Sequence, residues 1–446
     1  MTIHTATFGS RRTRHLSIAF CGVGLALLFS SAATLPFLFE SFSLTYKFGL
    51  QKMLLRSGKL VGLAAALLLV GQLILAARLT WVNRLVGMDH LLTAHKFNGV
   101  FLALLALIHP LLVFGPEEIS TLPLEARYWP EIVGAGLLMG LFYMTAAALF
   151  RRKLAFPFHL WMRSHQIGGG LVMTALFVHL LFSSETFETG LPRSAGLSFA
   201  AVCLLVFLRR HGRPFRGLTS WHVSEVAPAG KRATRVCLKA DGPGNFFYLP
   251  GQFAFLSFPS SIVSPEPHPF SMASTPTQKD ALEFIIGKNG DWTRGIDCLR
   301  KGEIAHIDGP YGHFSHCLIE DETPLVLIAG GIGITPLISM LRFMEATGDH
   351  RKTLLIWSNR NDETLFHTEE LIRVKKNHPQ LTVHLLFTGE PGEGRLTSKR
   401  LHQIIGPLSR PQVFLCGPPP MQASVTTMLK EIGIPCTRIH TETFGF

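Results

Sequence analysis

The chain has 446 residues and carries 42 Lys and Arg against 30 Asp and Glu, a formal net charge of +12. That length allows two or three domains, and the composition divides near Arg209–Arg213, apolar before and mixed after. Much of the basic surplus flanks apolar runs, at Arg11, Arg12 and Arg14, at Arg78 and Arg84, at Arg151, Arg152 and Lys153, and at Arg209, Arg210 and Arg213. Charge placed there reports membrane orientation and argues against nucleic acid as a partner. The seven cysteines form no C-x-x-C pair and no cluster-ligating spacing, which excludes an iron–sulfur cluster and a disulfide framework and fits a reduced soluble half.

In chain order, six apolar segments at about 16–39, 59–77, 91–114, 131–150, 164–182 and 195–208 predict membrane helices, since about 20 residues cross the hydrocarbon core. Arginines before the first segment and after the second, fourth and sixth place those ends inside. The acidic loop at 115–130 and the weakly basic loop at 183–194 then face outward. Lys47, Lys52, Arg56 and Lys59 break the pattern, because they fall in the first outer loop. The start SRRTRHL, an apolar run and small residues near Ser31–Ala33 also resemble an export signal. The run continues past Pro36 to Phe39, which favours a retained helix.

The third segment holds His95 and His109, and the fifth holds His165 and His179, fourteen positions apart in both. Fourteen residues rise about 21 Å and turn nearly four whole turns, so each pair lies on one helix face at two depths. Both segments run outward, which sets His95 level with His165 and His109 level with His179. Facing imidazoles at one depth supply both axial ligands of a haem iron, and an intramembrane histidine is a functional candidate by default. Two bis-histidine b-type haems are therefore expected, with Gly99 and Gly168–Gly170 leaving room beside them.

The soluble half opens with short strands, RATRVCLKA, PGQFAFLSF and ALEFIIGK, whose alternation and Gly/Pro punctuation predict a small antiparallel β-barrel. After about Glu320 the pattern becomes strand, loop and helix, with PLVLIAGG, TLLIWSNR, LTVHLLF and QVFLCGP as strands of a parallel nucleotide-binding sheet. In GGIGITP, Gly330, Gly331 and Gly333 allow a tight turn and a close approach to a pyrophosphate at a helix N-terminus. Expected domains are 1–213 in the membrane, 214–318 for the barrel and 319–446 for the parallel sheet.

PGQF, HPFSMAS, GDWT, GPYG, GGIGITP and CGPPPM occur in that order, and with them the soluble half resembles the ferredoxin–NADP reductase family. With the histidine pairs added, the whole chain resembles the ferric reductase/NADPH oxidase superfamily. The resemblance implies that His268, Pro269, Phe270 and Ser271 line FAD, with the Ser271 hydroxyl at its reactive edge, and that Gly290, Trp292 and Thr293 lie near the FAD pyrophosphate. It implies that Gly330, Gly331, Gly333, Thr335 and Pro336 hold the nicotinamide nucleotide, and that Cys416, Gly417 and Pro418 lie by its ring. The ending ETFGF implies that Phe444, rather than Phe446, covers the flavin. Ser271, Cys416 and Phe444 are thus the candidate catalytic residues, Cys416 by positioning. Arg360 is a candidate partner for a 2′-phosphate and favours NADPH over NADH.

The resulting expectation is a multi-pass protein of a bacterial-type inner (plasma) membrane with its soluble half cytoplasmic. It would move electrons from NAD(P)H through FAD and two haems to an outer-face acceptor: oxygen, a ferric chelate or a quinone. Acidic residues at Glu117–Glu118 and Glu185–Glu188 would sit on that face. No calcium loop of the D-x-D-x-D-G type is present, which predicts constitutive activity. The competing readings are a cytoplasmic NAD(P)H diaphorase on a haem-free membrane anchor, and a haem-binding sensor with a degenerate flavin domain.

Overall fold

The computed structural model describes residues 11–40, 47–114, 128–151, 153–211, 219–242, 246–259, 263–319, 322–360, 368–389, 395–406 and 408–442. The chain divides into two compact units, Met1–Pro214 and Phe215–Phe446.

The first unit is helical: α1 Arg11–Leu38, α2 Gly49–Ala76, the short α3 Thr80–Val86, α4 Met88–Phe114, α5 Trp129–Phe150, α6 Phe158–Ser183 and α7 Gly190–His211. Among the described residues, six helices are long and apolar enough to cross a membrane, with mean hydropathy between 1.6 and 2.2. Helices apolar on every side suit a surround with no water to face. Large side chains such as Phe97, Phe101, Leu104 and Leu111 on α4 accordingly stay more than half exposed. The inner core is thin, with Leu69 and Val70 of α2 meeting Leu102 of α4, Leu137 and Leu141 of α5, Val172 and Leu176 of α6 and Cys203 of α7.

Three spans begin earlier than the hydropathy of the sequence suggests. The second starts at Gly49, the fifth at Phe158 and the sixth at Gly190. Lys52, Arg56 and Lys59 lie within α2 rather than in a loop. Glu40 pairs with Lys52 at 3.2 Å and with Arg56, which offsets part of the positive charge that broke the orientation pattern. Long basic side chains keep their heads at the interface while their stems lie along the helix.

The second unit has two sheets. The first is antiparallel and comprises β1 Thr219–Pro228, β2 Ala233–Ala240, β3 Phe253–Ser257, β4 His268–Ser271, β5 Ala281–Gly287 and β6 Ile304–Tyr311, in the order β4–β3–β6–β1–β2–β5. A bridge between Met272 and Phe284 joins its first and last strands and curls the sheet around Trp221, Val236, Leu238, Leu256, Phe284 and Ile307. The short helix α8, Asp291–Gly295, follows β5.

The second sheet is parallel: β7 Leu325–Gly330, β8 Thr353–Asn359, β9 Leu381–Phe387, β10 Gln412–Cys416 and β11 Ile439–Glu442, in the order β11–β10–β7–β8–β9. Helices α9 Thr335–Thr347, α10 Thr368–Asn377, α11 Ser398–Ile405 and α12 Pro419–Glu431 connect its strands. One face packs Leu325, Leu327 and Ala329 under α9 and α10. The other packs Val326, Ile328, Leu354 and Ile356 under α11 and α12. Burial on both faces explains why these strands read as unbroken apolar runs. The strand order reverses between β7 and β10, and ligands of such sheets bind at the carboxyl ends beside that reversal.

Candidate functional sites

Helices α4 and α6 bring the four membrane histidines together as two pairs. His95 and His165 face each other with ring centroids 6.1 Å apart and planes at 71°. His109 and His179 do so at 6.2 Å and 79°. Two imidazoles ligating one ion from opposite sides, each by a bond of about 2 Å, hold their centres roughly 6 Å apart, so both pairs fit a metal between them.

The second pair is anchored through main-chain atoms. Nδ1 of His109 donates to the carbonyl of Gly58 on α2 at 2.9 Å. Nδ1 of His179 donates to the carbonyl of Pro130 on α5 at 3.0 Å and lies 2.9 Å from Ser183 Oγ. A carbonyl only accepts, so Nδ1 carries the proton and the lone pair of Nε2 is left for a metal. One turn beyond each acceptor stands a glycine. A Cβ on Gly62 would lie 2.8 Å from the His109 ring, and one on Gly134 would lie 2.7 Å from the His179 ring. Both glycines are therefore notches for an imidazole.

Gly99 and Gly168–Gly170 open instead onto helix-packing side chains. Their nearest neighbours are Gln72 for Gly99, Met144 for Gly168 and Gly169, and Phe207 for Gly170. Gln72 also donates to the His95 carbonyl at 3.0 Å, and Asn98 donates to the Leu68 carbonyl at 3.0 Å. These bonds lock α2 to α4 beside the His95–His165 pair.

In the antiparallel sheet, β4 carries His268, Pro269, Phe270 and Ser271. Trp292 of α8 stacks on Phe270 at 5.5 Å and 19°, lies 4.3 Å from the His268 ring, and donates Nε1–H to the Ser264 carbonyl at 2.8 Å. Two segments distant in sequence thus form one aromatic wall. Gly290 and Thr293 close the start of α8, the Thr293 hydroxyl bonding the Gly290 N–H and carbonyl at 2.9 Å each. Burial lowers the His268 pKa to about 4, so its imidazole is neutral at physiological pH. Ser271 is 4% exposed, and its hydroxyl has no hydrogen-bond partner among the described residues. An unsatisfied buried hydroxyl costs about 1–3 kcal/mol. A polar ligand edge beside β4 would complete it, so this strand fits a flavin.

At the reversal in the parallel sheet, Gly331 has φ of +53° and open space where a Cβ would stand. Gly330 and Gly333 have a different constraint. A Cβ on Gly333 would lie 2.4 Å from the Cys416 carbonyl, and one on Gly330 would lie 2.4 Å from Met421 Sδ. These two glycines let the loop after β7 nest against the end of β10, while Gly331 faces outward. Thr335 is buried and spends its hydroxyl on the Ile332 carbonyl at 2.9 Å. Pro336 sits in the first turn of α9, where its missing N–H costs nothing.

Cys416 is fully buried, and burial, then the Glu442 carboxylate, push its thiol pKa well up. It is a protonated thiol, suited to packing or positioning and not to nucleophilic attack. Gly417 lies against Gly330, and Pro418 caps α12. Arg360 is exposed just past the end of β8, its carbonyl accepting from the Gly389 N–H at 2.8 Å. Phe444 lies outside the described residues, as do Glu117 and Glu118.

Several other residues shape these sites. Gly58 and Gly62 carried a signal in their four-residue spacing, the small-residue pattern of close helix contacts, whereas Pro130 and Gly134 carried none. Trp357 donates Nε1–H to the Gly331 carbonyl at 2.9 Å, and Gln422 donates to the carbonyls of Gly417 and Glu442 at 2.7 and 2.6 Å. Nothing local in sequence marks either residue.

The family described as ferric reductase like transmembrane component matches residues 61–182. An FAD-binding domain matches 233–315, and an oxidoreductase NAD-binding domain matches 327–427. The reductase component of propane 2-monooxygenase from Mycolicibacterium goodii is 30% identical over 238 residues, 50% of this chain and 66% of that protein. The ferredoxin reductase component of 3-ketosteroid-9-alpha-monooxygenase from Rhodococcus rhodochrous is 31% identical over 207 residues, 45% of this chain and 57% of that one. The chain thus spans less than two thirds of either relative. Among solved structures, the Amycolatopsis cytochrome P450 reductase GcoB superposes with a TM-score of 0.46 at 27% identity, covering 51% of this chain and 69% of that one.

Proposed function

From the premise that this chain, a multi-pass membrane oxidoreductase, matches a ferric reductase/NADPH oxidase-like flavocytochrome in its transmembrane, FAD-binding and NAD-binding parts, we propose that it conducts electrons across a bilayer. The donor is NAD(P)H on the cytoplasmic side and the acceptor is a small molecule at the outer face: oxygen, a ferric chelate or a quinone. The observation that carries this reading is the pair of facing imidazole couples at 6.1 and 6.2 Å, set fourteen residues apart on two helices. When bound, FAD takes two electrons as a hydride and releases them singly, while each haem iron takes one, so the cofactors carry the redox chemistry.

The protein's own residues bind and orient. His95 with His165, and His109 with His179, hold the two haem irons. The Gly58 and Pro130 carbonyls keep Nδ1 protonated and Nε2 presented, and such outer-shell bonds orient the ring and raise its basicity. Ser271 offers its buried hydroxyl to the flavin edge, and His268, Phe270 and Trp292 wall that edge from water. Gly331 and the N-terminus of α9 receive the pyrophosphate of the nucleotide through backbone N–H groups. Cys416 lines the nicotinamide side as a neutral thiol, with Phe444 covering the flavin until the nucleotide arrives. Arg360 pairs with the 2′-phosphate of NADPH.

An anaerobic visible spectrum of the detergent-purified chain, with FAD supplied, tests this reading before and after NADPH. Two haems per chain are expected, with bands that sharpen and shift red on reduction and recover with air or a ferric chelate. Absence of haem after haem-replete expression removes the transmembrane path and leaves a diaphorase on an anchor.

A further inference from the structure

The glycine turn after β7 leads directly into α9, and β4 ends at Ser271. A largely buried polar tie joins α9 to the residues just past β4 and to β5. Arg342, on α9, spends its guanidinium on three partners. Nη1 donates to the Ala273 carbonyl at 2.8 Å and to Glu283 of β5 at 3.0 Å. Nε and Nη2 donate to the two oxygens of Glu370 on α10, Nη2 at 2.7 Å. The side chains of Arg342, Glu283 and Glu370 are only 14–15% exposed.

Ser339, three residues before Arg342 on the same helix, donates to the Ser274 carbonyl at 2.6 Å. The Ser274 hydroxyl in turn accepts from Tyr248 at 2.9 Å and from the Glu283 N–H at 3.1 Å. Between these bonds, Gly251 has φ of +92°, and a Cβ there would lie 2.1 Å from the Phe314 carbonyl and 2.5 Å from Met340 on α9. Helix and barrel meet there with no space for even a methyl group.

Interfaces between domains of one chain default to relative motion. A bidentate guanidinium–carboxylate pair is directional as well as attractive. Here the bidentate pair with Glu370 of α10 fixes the guanidinium on the helix that begins at the nucleotide loop, and its remaining nitrogen reaches the Ala273 carbonyl, two positions past Ser271, and Glu283 of β5. We propose that Arg342, supported by Ser339, is a positioning residue that sets the distance and angle between the flavin strand and the nicotinamide-nucleotide helix. It thereby governs how fast hydride is delivered, without governing how tightly either cofactor binds. The inference rests on the reading that FAD lies along β4 and the nucleotide at the start of α9. In the step concerned, a hydride carrying one proton and two electrons leaves the dihydronicotinamide as NAD(P)+ forms and is added to FAD, which takes a second proton from solvent to give FADH2.

The test uses the full-length protein in detergent with Arg342→Lys, Arg342→Met and Ser339→Ala. Flavin content, nucleotide affinity, the limiting rate of anaerobic flavin bleaching by NADPH, and the isotope effect with nicotinamide deuterated at the transferred position are measured. Misplacement of reacting groups by about 1 Å costs on the order of a hundredfold in rate. Arg342→Lys is expected to keep its FAD and nucleotide affinity, bleach at least about tenfold more slowly and show a larger isotope effect, with a smaller effect in Ser339→Ala. An unchanged limiting rate in Arg342→Lys and Ser339→Ala overturns the proposal, as does a loss that only tracks missing FAD. Should Arg342→Met fail to fold, the other two variants decide. Wild-type protein that NADPH does not bleach removes the cofactor reading itself. Bleaching without haem removes only the transmembrane path and leaves the role of Arg342 standing.

Discussion

At the residue scale, the four histidines were readable because helix geometry converts a spacing of fourteen into a shared face without any knowledge of packing. The atoms that orient them were not readable, because every residue has a carbonyl. Gly62 and Gly134 show how the arrangement can be tested. Alanine is favoured over glycine in a helix interior by about 1 kcal/mol, so Gly62→Ala and Gly134→Ala leave the bundle intact. Each new methyl, however, would occupy the place of a ring atom less than 3 Å away. Outer-shell losses weaken metal binding by about 10–100-fold. The haem-to-protein ratio of each variant is therefore expected to fall from two towards one, read by pyridine haemochrome assay. Gly71→Ala, which meets nothing within 4 Å, is the control and keeps both. Retention of two haems with an unshifted spectrum in both notch variants would remove the role given to these glycines.

At the element scale, the parallel strands were evident because burial on both faces makes them continuous apolar runs. No such run marks β11, four residues long, or β1 and β6, whose partly polar sequences owe their order to neighbours. The second membrane span was cut short because Lys52, Arg56 and Lys59 read as loop, whereas all three lie in α2, Lys52 and Arg56 paired with Glu40. Short elements also hold buried imidazoles. His316, in the turn His316–Leu318, is 1% exposed, and burial lowers its pKa from 6.5 to about 4. His268 on β4 is lowered to about 4 for the same reason. Between those pH values the unfolded chain binds protons that the folded chain refuses, so stability falls as pH drops from 6.5 towards 4. A shift of that size is worth up to about 3 kcal/mol for a fully buried group. Thermal unfolding followed by flavin release is expected to move to lower temperature across that window. In His316→Gln the slope should be shallower, and an identical slope would assign the effect to other groups.

At the scale of the whole molecule, the division of the chain and the classes of both halves follow from composition and strand pattern alone. The tie through Arg342 does not, because it joins residues 59 and 69 positions apart in the chain and no local pattern anticipates it. If electrons leave outward with no accompanying cation, turnover works against the membrane potential. The cost is about 2.3 kcal/mol per charge per 100 mV for a complete crossing, which bounds the effect. In proteoliposomes reduced from the side of the soluble unit, turnover is expected to slow as potential builds and to recover when valinomycin and potassium collapse it. Indifference to valinomycin would mean that charge is compensated within the protein or does not cross.

The acceptors of His109 and His179 are main-chain oxygens on α2 and α5, and a carbonyl is not encoded by any codon in particular. An alanine scan reads both positions without deleting either bond, and at 58 it would report only the crowding of a new Cβ 2.7 Å from Val113. What selection can see is the notch one turn further on, where only the smallest residue lets the ring come near. Each bond is thus inherited as the contour of a helix, and its record in a set of sequences would be an invariant absence of side chain one turn beyond an oxygen that any residue could supply.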